Sequence, residues 1–369
     1  MERDKSFNYS VLVYFLIVVF FVAFRLLSSF GLLNFLGSSV DKVFTIVVQI
    51  FLLLGGSIVM YSALKKQRIK RTFTEFAIRK TSWKVVWLSV LLGVAVFFIN
   101  TFVSASFNGL IELFGYEHAS GTPITSYSFG ALIVNIFFTA VLPGICEEVA
   151  HRGMLLRAFT PLGAWKAIFL SALLFGLLHL NIEQFFYATI IGIFLGFLTM
   201  MSNSIIPAMI VHFMNNALSV YVTFSAVNGL PLGNLLGWFD AIISSNIFMG
   251  ILHSLIVLIA LVYLAYFITI KIIQSRTKED MALIQKQFSA VLMRQSYFAE
   301  LEKAKLNAKG EQPKESEFDP FEKLKDFIMV DEPADEGKFK PSKYSIILLS
   351  GTFVMGVVIT IFTFVWGVL

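Results

Sequence analysis

The stretch that decides the fold is residues 131–152, which read ALIVNIFFTAVLPGICEEVAHR. No charged side chain occurs from position 131 to position 146, and two adjacent glutamates, Glu147 and Glu148, follow directly. A helix that crosses a bilayer needs about 20 predominantly apolar residues, so the segment predicts a membrane-spanning helix with two carboxylates deep inside it. An ionisable group at that depth costs at least about 2.5–3.5 kcal/mol on insertion scales and marks a functional candidate.

The composition of the whole chain agrees with a lipid-solvated protein. Of the 369 residues, 57% are hydrophobic and only 14% are charged, whereas soluble domains carry about 25% charge. This balance excludes a nucleic-acid-binding module, a secreted disulfide scaffold and a disordered regulator. We predict an all-α, polytopic bundle of about nine transmembrane helices. The predicted spans are 8–26, 43–64, 85–106, 129–150, 164–181, 184–201, 205–223, 247–270 and 344–369.

The distribution of Lys and Arg predicts how the chain is oriented in the cell membrane. Eight basic residues lie between positions 65 and 84, none lies between 85 and 151 or between 167 and 270, and they resume at Lys271. Cytoplasmic loops carry an excess of Lys and Arg. We therefore expect a cytosolic amino terminus, an external carboxyl terminus and an active site open to the cytosolic half of the bilayer.

These patterns divide the chain into five predicted parts. They are amino-terminal helices (1–128), a motif-bearing core (129–223), an outer loop with one helix (224–270), a charged insert (271–343) and a carboxyl-terminal helix (344–369). The insert has 14 basic and 14 acidic residues, and its apolar side chains recur at helical spacing from about 279 to 308. It is a cytosolic helical connector, or else a lid or a docking element for a partner.

Polar residues on three predicted helices can meet at one depth. Glu148 and Arg152 have the spacing and order of a helical ion pair, which leaves Glu147 for chemistry; the alternative is that all three form only an interhelical clamp. Glu147 and His179 each lie sixteen residues from Gly163, at the break between two helices. An antiparallel pair would place both up to about 24 Å from that break.

The third polar helix carries His212 and Asn216, which share one face because four residues separate them. Asn216 lies eleven residues beyond Ile205, hence about 16 Å into the same cytosolic half. We expect carboxylate, imidazole and amide side chains from the three helices to form one site. His253 and Cys146, by contrast, are expected to be packing residues.

The chain resembles the CPBP family of intramembrane proteases, also called the Abi or CAAX-protease family, which includes CAAX prenyl endopeptidases and bacteriocin-immunity proteins. The motifs that carry the resemblance are Glu-Glu-x-x-x-Arg at 147–152, Phe-x-x-x-His at 175–179 and His-x-x-x-Asn at 212–216. The resemblance implies that Glu147 and His179 activate a water that attacks a peptide carbonyl. It also implies that His212 and Asn216 stabilise the oxyanion.

One position departs from the family pattern, and the metal content is open. The residue before Arg152 is commonly Phe in the family but is His151 here; it either faces the site or points elsewhere. Glu147, His179 and His212 could ligate zinc. Because no His-Glu-x-x-His pair is present, we favour a metal-free mechanism without a cofactor.

Two other functions remain alternatives to the protease. One is a non-catalytic immunity or scaffold protein that binds a peptide or partner with the same polar cluster. The other is a proton-coupled transporter, although no repeated half is evident. The expected substrates are hydrophobic or lipidated peptides at the bilayer, and whether they are prenylated stays open, as does the oligomeric state.

Overall fold

A computed structural model describes residues 2–33, 37, 40–118, 127–233, 247–309, 339 and 341–368. These residues form helices joined by short turns, and no strand occurs among them. The predicted all-α class is confirmed.

The helices have the following bounds. The α-helices are α1 (Glu2–Ser29), α2 (Val40–Ile46), α3 (Tyr61–Leu64), α4 (Ile69–Glu75), α5 (Trp83–Glu112), α6 (Phe129–Ile136), α7 (Leu142–Glu148), α8 (Leu156–Phe159), α9 (Ala164–Leu178), α10 (Ile182–Ser202), α11 (Ile206–Val227), α12 (Ile247–Lys309) and α13 (Lys343–Val368). Three wider, π-helical segments join some of them: π1 (Val47–Met60), π2 (Phe137–Val141) and π3 (Val149–Leu155). A 3₁₀ turn, Thr160–Leu162, precedes α9.

Eight helical stretches within the described part of the chain are long and apolar enough to cross a bilayer. They are Asp4–Ser28, Lys42–Leu64, Trp83–Glu112, Phe129–Leu162, Ile182–Ser202, Ile206–Val227, Ser254–Leu283 and Lys343–Val365. The remaining predicted span, 164–181, corresponds to α9, which is apolar but has only 15 residues. The chain is therefore a multi-pass membrane protein.

Local sequence signals set where several of these helices begin. The Ser82 hydroxyl accepts a hydrogen bond from the Val85 backbone N–H at the start of α5, and Ser128 does the same at the start of α6. The Asn181 side chain accepts from the backbone N–H of Glu183 and caps α10. Such caps satisfy backbone N–H groups that a helix leaves unpaired. Gly163 has a backbone φ of +102°, and the turn at Gly163-Ala164 separates the helical segment that carries Glu147 and Glu148 from α9.

Small residues let the site-bearing helices approach one another closely. A Cβ added at Gly144 of α7 would lie 3.2 Å from the backbone of Phe213 of α11, and one at Gly192 of α10 would lie 3.1 Å from Cα of Ala172 of α9. Helix packing in membranes depends on such contacts, since lipid supplies no hydrophobic driving force between helices. The first contact places α7, which carries the two glutamates, directly beside the helix of His212.

The chain divides into two compact units, residues 1–273 with 339–369, and residues 274–338. The boundary falls within α12, which runs without interruption from Ile247 to Lys309. The predicted span 247–270 and the predicted insert helix at 279–308 both lie inside α12, so one continuous helix replaces the two that were expected. The Gly- and Pro-rich segment after Lys309, through residue 338, lies outside the described residues, and so does the side chain of His253. The five-part division stays a prediction.

Candidate active site

The two adjacent glutamates have different partners. Glu148 is fully buried, and its Oε1 accepts hydrogen bonds from Nη1 of Arg152 at 2.8 Å and from Nδ1 of His212 at 2.8 Å. Among the residues that the structure describes, Oε2 of Glu148 has no hydrogen-bond partner. The predicted spacing of Glu148 and Arg152 thus corresponds to a direct, charge-assisted contact.

Glu147 makes a single hydrogen bond through its carboxylate. Its Oε1 accepts from Nε2 of Gln49 at 2.7 Å, and its Oε2 lies 3.9 Å from Nε2 of His212. The side chain is 11% exposed, against 0% for Glu148. Within the described part of the chain, no Lys or Arg pairs with Glu147. It is therefore the carboxylate that lacks a fixed cation.

Arg152 is held from three sides. Besides its bond to Glu148, Nη2 donates to the backbone carbonyl of Gly192 at 3.2 Å, and the guanidinium carbon lies 4.4 Å from the ring centroid of Phe175. The side chain is fully buried. A guanidinium over an aromatic face is attracted by the ring quadrupole, so α9 and α10 both fix the position of the cation.

The ring of Phe175, from the second motif, contacts every imidazole near the site. His151, His179 and His212 meet it edge-to-face, with centroid separations of 5.1, 5.1 and 5.7 Å respectively. Such T-shaped pairs are favourable geometries for aromatic rings. The Phe of this motif thus orients the imidazoles of three different helical segments around one apolar centre.

The backbone and side-chain contacts of His179 and His212 define which ring nitrogen is available. His179 donates from Nδ1 to the carbonyl of Phe175 at 3.0 Å, since a carbonyl can only accept. Its Nε2 can then accept a proton in the neutral form. His212 donates from Nδ1 to Glu148, so its Nε2 is the nitrogen that faces Glu147.

Asn216 lies at the edge of this cluster. Its Nδ2 donates to the backbone carbonyl of Thr139 in π2 at 3.0 Å, and its Oδ1 accepts from Nδ2 of Asn215. One Nδ2 hydrogen of Asn216 remains available after the bond to Thr139.

His151, at the position where the family has an aromatic residue, is fully buried and makes its hydrogen bonds with groups other than the Glu147 carboxylate. Its Nδ1 donates to the backbone carbonyl of Glu147 at 2.9 Å, and its Nε2 lies 3.0 Å from the hydroxyl of Tyr14 of α1. The hydroxyl of Ser171 donates to the carbonyl of His151. The imidazole therefore ties α1 and α9 to the backbone of the motif.

The structure brings five of the six predicted side chains into one connected cluster: Glu147, Glu148, Arg152, His179 and His212, joined by the contacts above and by Phe175. Asn216 is one helical turn from His212. Glu147 and His179 make no direct hydrogen bond or ion pair. Two contributors were missed from the sequence, Gln49 and Tyr14. Gln49 had a usable signal, since it is an isolated amide inside an apolar span.

All three π-helical segments carry residues that belong to the site or hydrogen-bond to it. Gln49 lies in π1, Thr139 in π2, and His151 and Arg152 in π3. Hydrogen bonds from i to i+5 in such segments rotate side chains relative to an α-helix, and they occur frequently at functional sites. Short α7, with Glu147 and Glu148, lies between π2 and π3.

Glu147, His179 and His212 are the residues that could ligate a metal ion. Among the described residues, no group of three or more His, Cys, Asp or Glu side chains is arranged to hold a metal ion. Nδ1 of His179 and Nδ1 of His212 each donate to a protein acceptor, so Nε2 is the nitrogen of either ring that could ligate a metal. Oε2 of Glu147 lies 3.9 Å from Nε2 of His212, and the metal dependence stays a prediction.

Comparison with known proteins agrees with the motifs. Residues 129–218 match the family model described as type II CAAX prenyl endopeptidase, Rce1-like. The segment contains all three motifs, so the resemblance drawn from them is confirmed. At the level of the family, the match supports a membrane protease of the CAAX type. No curated protein and no solved structure gives a significant match.

Proposed function

We propose, from the Rce1-like segment at residues 129–218, that this chain is a glutamate-dependent intramembrane endopeptidase that cleaves prenylated or otherwise hydrophobic peptides. Glu147 is the general base, His179 assists it, and His212 with Asn216 stabilises the oxyanion. Glu148 and Arg152 form the structural ion pair.

The observation that carries the proposal is the unequal pairing of the two glutamates. Glu148 accepts hydrogen bonds from the permanent cation Arg152 and from His212, whereas Glu147 accepts one from the neutral amide of Gln49 and lies 3.9 Å from Nε2 of His212. A general base must hold its charge in the resting enzyme and accept a proton during reaction. Glu148, whose charge Arg152 stabilises, can hold its charge but accepts a proton poorly. Glu147 can do both.

The proposed reaction moves one proton from water to Glu147 and then to the leaving amine. A water between Glu147 and His179 loses a proton to Oε2 of Glu147 while its oxygen attacks the scissile carbonyl. The tetrahedral oxyanion accepts hydrogen bonds from Nε2–H of His212 and from Nδ2 of Asn216, donors of the kind that stabilise developing charge. The proton then passes from Glu147 to the leaving amine, the C–N bond breaks, and the carboxylate is regenerated.

The substrate is a peptide whose lipid or apolar side chains lie in the bilayer. We further propose that the amino terminus is cytosolic and that substrate enters from the cytosolic half, since the basic residues at 65–84 favour that orientation. We propose that this mechanism uses no metal, because the sequence has no His-Glu-x-x-His pair. Activity on the substrate should therefore survive treatment with 1,10-phenanthroline.

The test is cleavage of an internally quenched, farnesylated CAAX peptide by purified protein in lipid nanodiscs. Glu147→Gln should lower kcat by about 10²- to 10⁴-fold, the usual contribution of a general base. Glu112→Gln is the matched control, because Glu112 is 56% exposed at the end of α5 and should leave kcat unchanged. A folded Glu147→Gln protein with wild-type kcat would refute the assignment.

Membrane peptidomics then separates the protease from a binding protein. Cells with wild-type protein should lose peptides that accumulate in cells with Glu147→Gln, and these peptides identify the substrate. An immunity or scaffold role predicts instead that the biological effect persists in the cleavage-dead variant.

A further inference from the structure

Gln49 is a buried polar residue outside the segment that matches the family. It lies in π1, within the second membrane-spanning stretch, and is 7% exposed. Its Nε2 donates to Oε1 of Glu147 at 2.7 Å, while its own Oε1 has no hydrogen-bond partner within the described part of the chain. A buried amide oxygen without a partner is costly, so apolar packing alone does not account for a glutamine at this position.

The contact distinguishes the two oxygens of Glu147. Oε1 is bound to Gln49, and Oε2 faces Nε2 of His212 across 3.9 Å. Rotation of the carboxylate about its terminal bond would exchange these oxygens, since that torsion is broad and roughly two-fold. A hydrogen bond to one oxygen opposes this rotation and keeps the other oxygen directed at His212.

We propose that Gln49 is a positioning residue, which holds the Glu147 carboxylate so that Oε2 is the oxygen that takes the proton. The inference rests on the proposed function, because it assigns Gln49 a role through the proposed base. It extends the site beyond residues 129–218 to a helix that no family motif includes.

The chemistry of the amide suits this role better than a cation would. Arg152 neutralises the carboxylate that it contacts, which stabilises Glu148 as an ion but removes its usefulness as a base. A neutral N–H donor orients Glu147 without adding a positive charge. The amide also stays a donor after the carboxyl is protonated at Oε2, so the contact need not break during the cycle.

The first test compares Gln49→Met, Gln49→Glu and the control Ser57→Ala with the farnesylated, internally quenched peptide in nanodiscs. Met keeps the chain length without the donor, and we expect kcat to fall about 10- to 100-fold, as for a misplaced catalytic group, with KM within about twofold. Ser57 is a fully buried polar residue of π1 without a hydrogen-bond partner for its hydroxyl. Its replacement should leave kcat unchanged.

Gln49→Glu provides a readout that a purely structural role would not change. Two facing carboxylates repel one another when both are ionised, but they can share a proton at lower pH. The ratio of kcat for Gln49→Glu to that for Gln49→Met should therefore rise as pH falls. A constant ratio, or a Gln49→Met protein with wild-type kcat, overturns the inference.

A second measurement keeps the inference distinct from the proposed function. Gln49→Met should lower the midpoint of thermal unfolding in the wild-type background and much less in a Glu147→Leu background, because residues in direct contact are energetically coupled. Equal shifts in both backgrounds would refute the contact even if the peptide is cleaved. If wild-type protein does not cleave the peptide, the proposed function fails on prenylated substrates, and this coupling alone decides whether Gln49 holds Glu147.

Discussion

Replacing Arg152 by Met should destabilise the protein far more than an exposed charge deletion would. The guanidinium is fully buried and donates to Glu148 and to the carbonyl of Gly192. Methionine fills much of the same volume, so the dominant effect is an uncompensated buried carboxylate at Glu148. Removing one partner of a buried ion pair costs about 3–5 kcal/mol, and loss of the contact with Phe175 adds up to about 2 kcal/mol.

The cost can be assigned by a double-mutant cycle. Glu148→Gln combined with Arg152→Met removes the orphaned charge but retains an acceptor for His212, and so should recover most of the lost stability. The remaining cost should be about 1–2 kcal/mol, as for unmade neutral hydrogen bonds. Peptide cleavage should stay low in the double variant, because Glu148 no longer supports a charge on His212.

The assay is unfolding in mixed micelles, followed by tryptophan fluorescence. The matched control is Arg71→Met, which breaks a pair with Glu75 of the same i,i+4 spacing whose Arg side chain is 60% exposed. Exposed pairs are worth about 0.2–1 kcal/mol, so the control should change stability little. If Arg152→Met costs no more than Arg71→Met, the ion pair does not stabilise the charge of Glu148 and the assignment of roles to the two glutamates is refuted.

Three further outcomes are expected. The pKa of His118, outside the membrane spans, is raised chiefly by its hydrogen bond to Glu183. The stabilisation that protonated His118 gives the fold should be complete below about pH 6.5 and should vanish as pH rises through the folded-state pKa. Thermal unfolding of His118→Gln, measured across pH, should lack this dependence. Gly144→Val should cost about 1–3 kcal/mol by overpacking against Phe213, measured in mixed micelles, and cleavage should fall as α7 and α11 separate. Asn216→Ala should lower kcat about 10²- to 10³-fold with little change in KM, as for loss of an oxyanion donor; an unchanged kcat would remove Asn216 from the site.

Sequence patterns predicted the features that depend on local spacing. Membrane spans follow from runs of apolar residues, and a glutamate followed by an arginine four positions later lies on one helix face whatever the tertiary structure. A shared depth for Glu147 and His179 followed from the rise per residue and an antiparallel arrangement of their two helices. The three motif segments could therefore be placed near one another before any packing was known.

The contributions of the first two spans could not be predicted in the same way. Tyr14 and Gln49 reach the motif across sequence separations of 137 and 98 residues, and helix periodicity is uninformative about which of several apolar helices become neighbours. Tyr14 had no signal, because tyrosines are ordinary in membrane helices. The π-helical segments also escaped prediction, since glycines such as Gly55 and Gly56 in π1 do not specify whether a helix widens, bends or ends there.

The contacts of His151 explain how the structure accommodates a histidine where the family commonly has Phe. An imidazole at a buried aromatic position needs two hydrogen-bond partners, and the carbonyl of Glu147 and the hydroxyl of Tyr14 supply them. The ring also keeps the edge-to-face contact with Phe175 that an aromatic residue would make. The substitution therefore preserves packing without placing a second base beside the Glu147 carboxylate.

The net charge of the cluster constrains how the proposed oxyanion site would work. With Glu147 and Glu148 ionised and Arg152 positive, the buried set is neutral only if His212 is an imidazolium, and uncompensated charge in a low-dielectric site is costly. His212 must also carry hydrogens on both ring nitrogens to donate to Glu148 from Nδ1 and to an oxyanion from Nε2. Charge balance and the donation of two hydrogen bonds therefore both require His212 to be an imidazolium. Glu148, which touches no substrate in this scheme, would contribute to catalysis by supporting that charge, and this is why the Glu148→Gln double variant should fold and yet remain inactive.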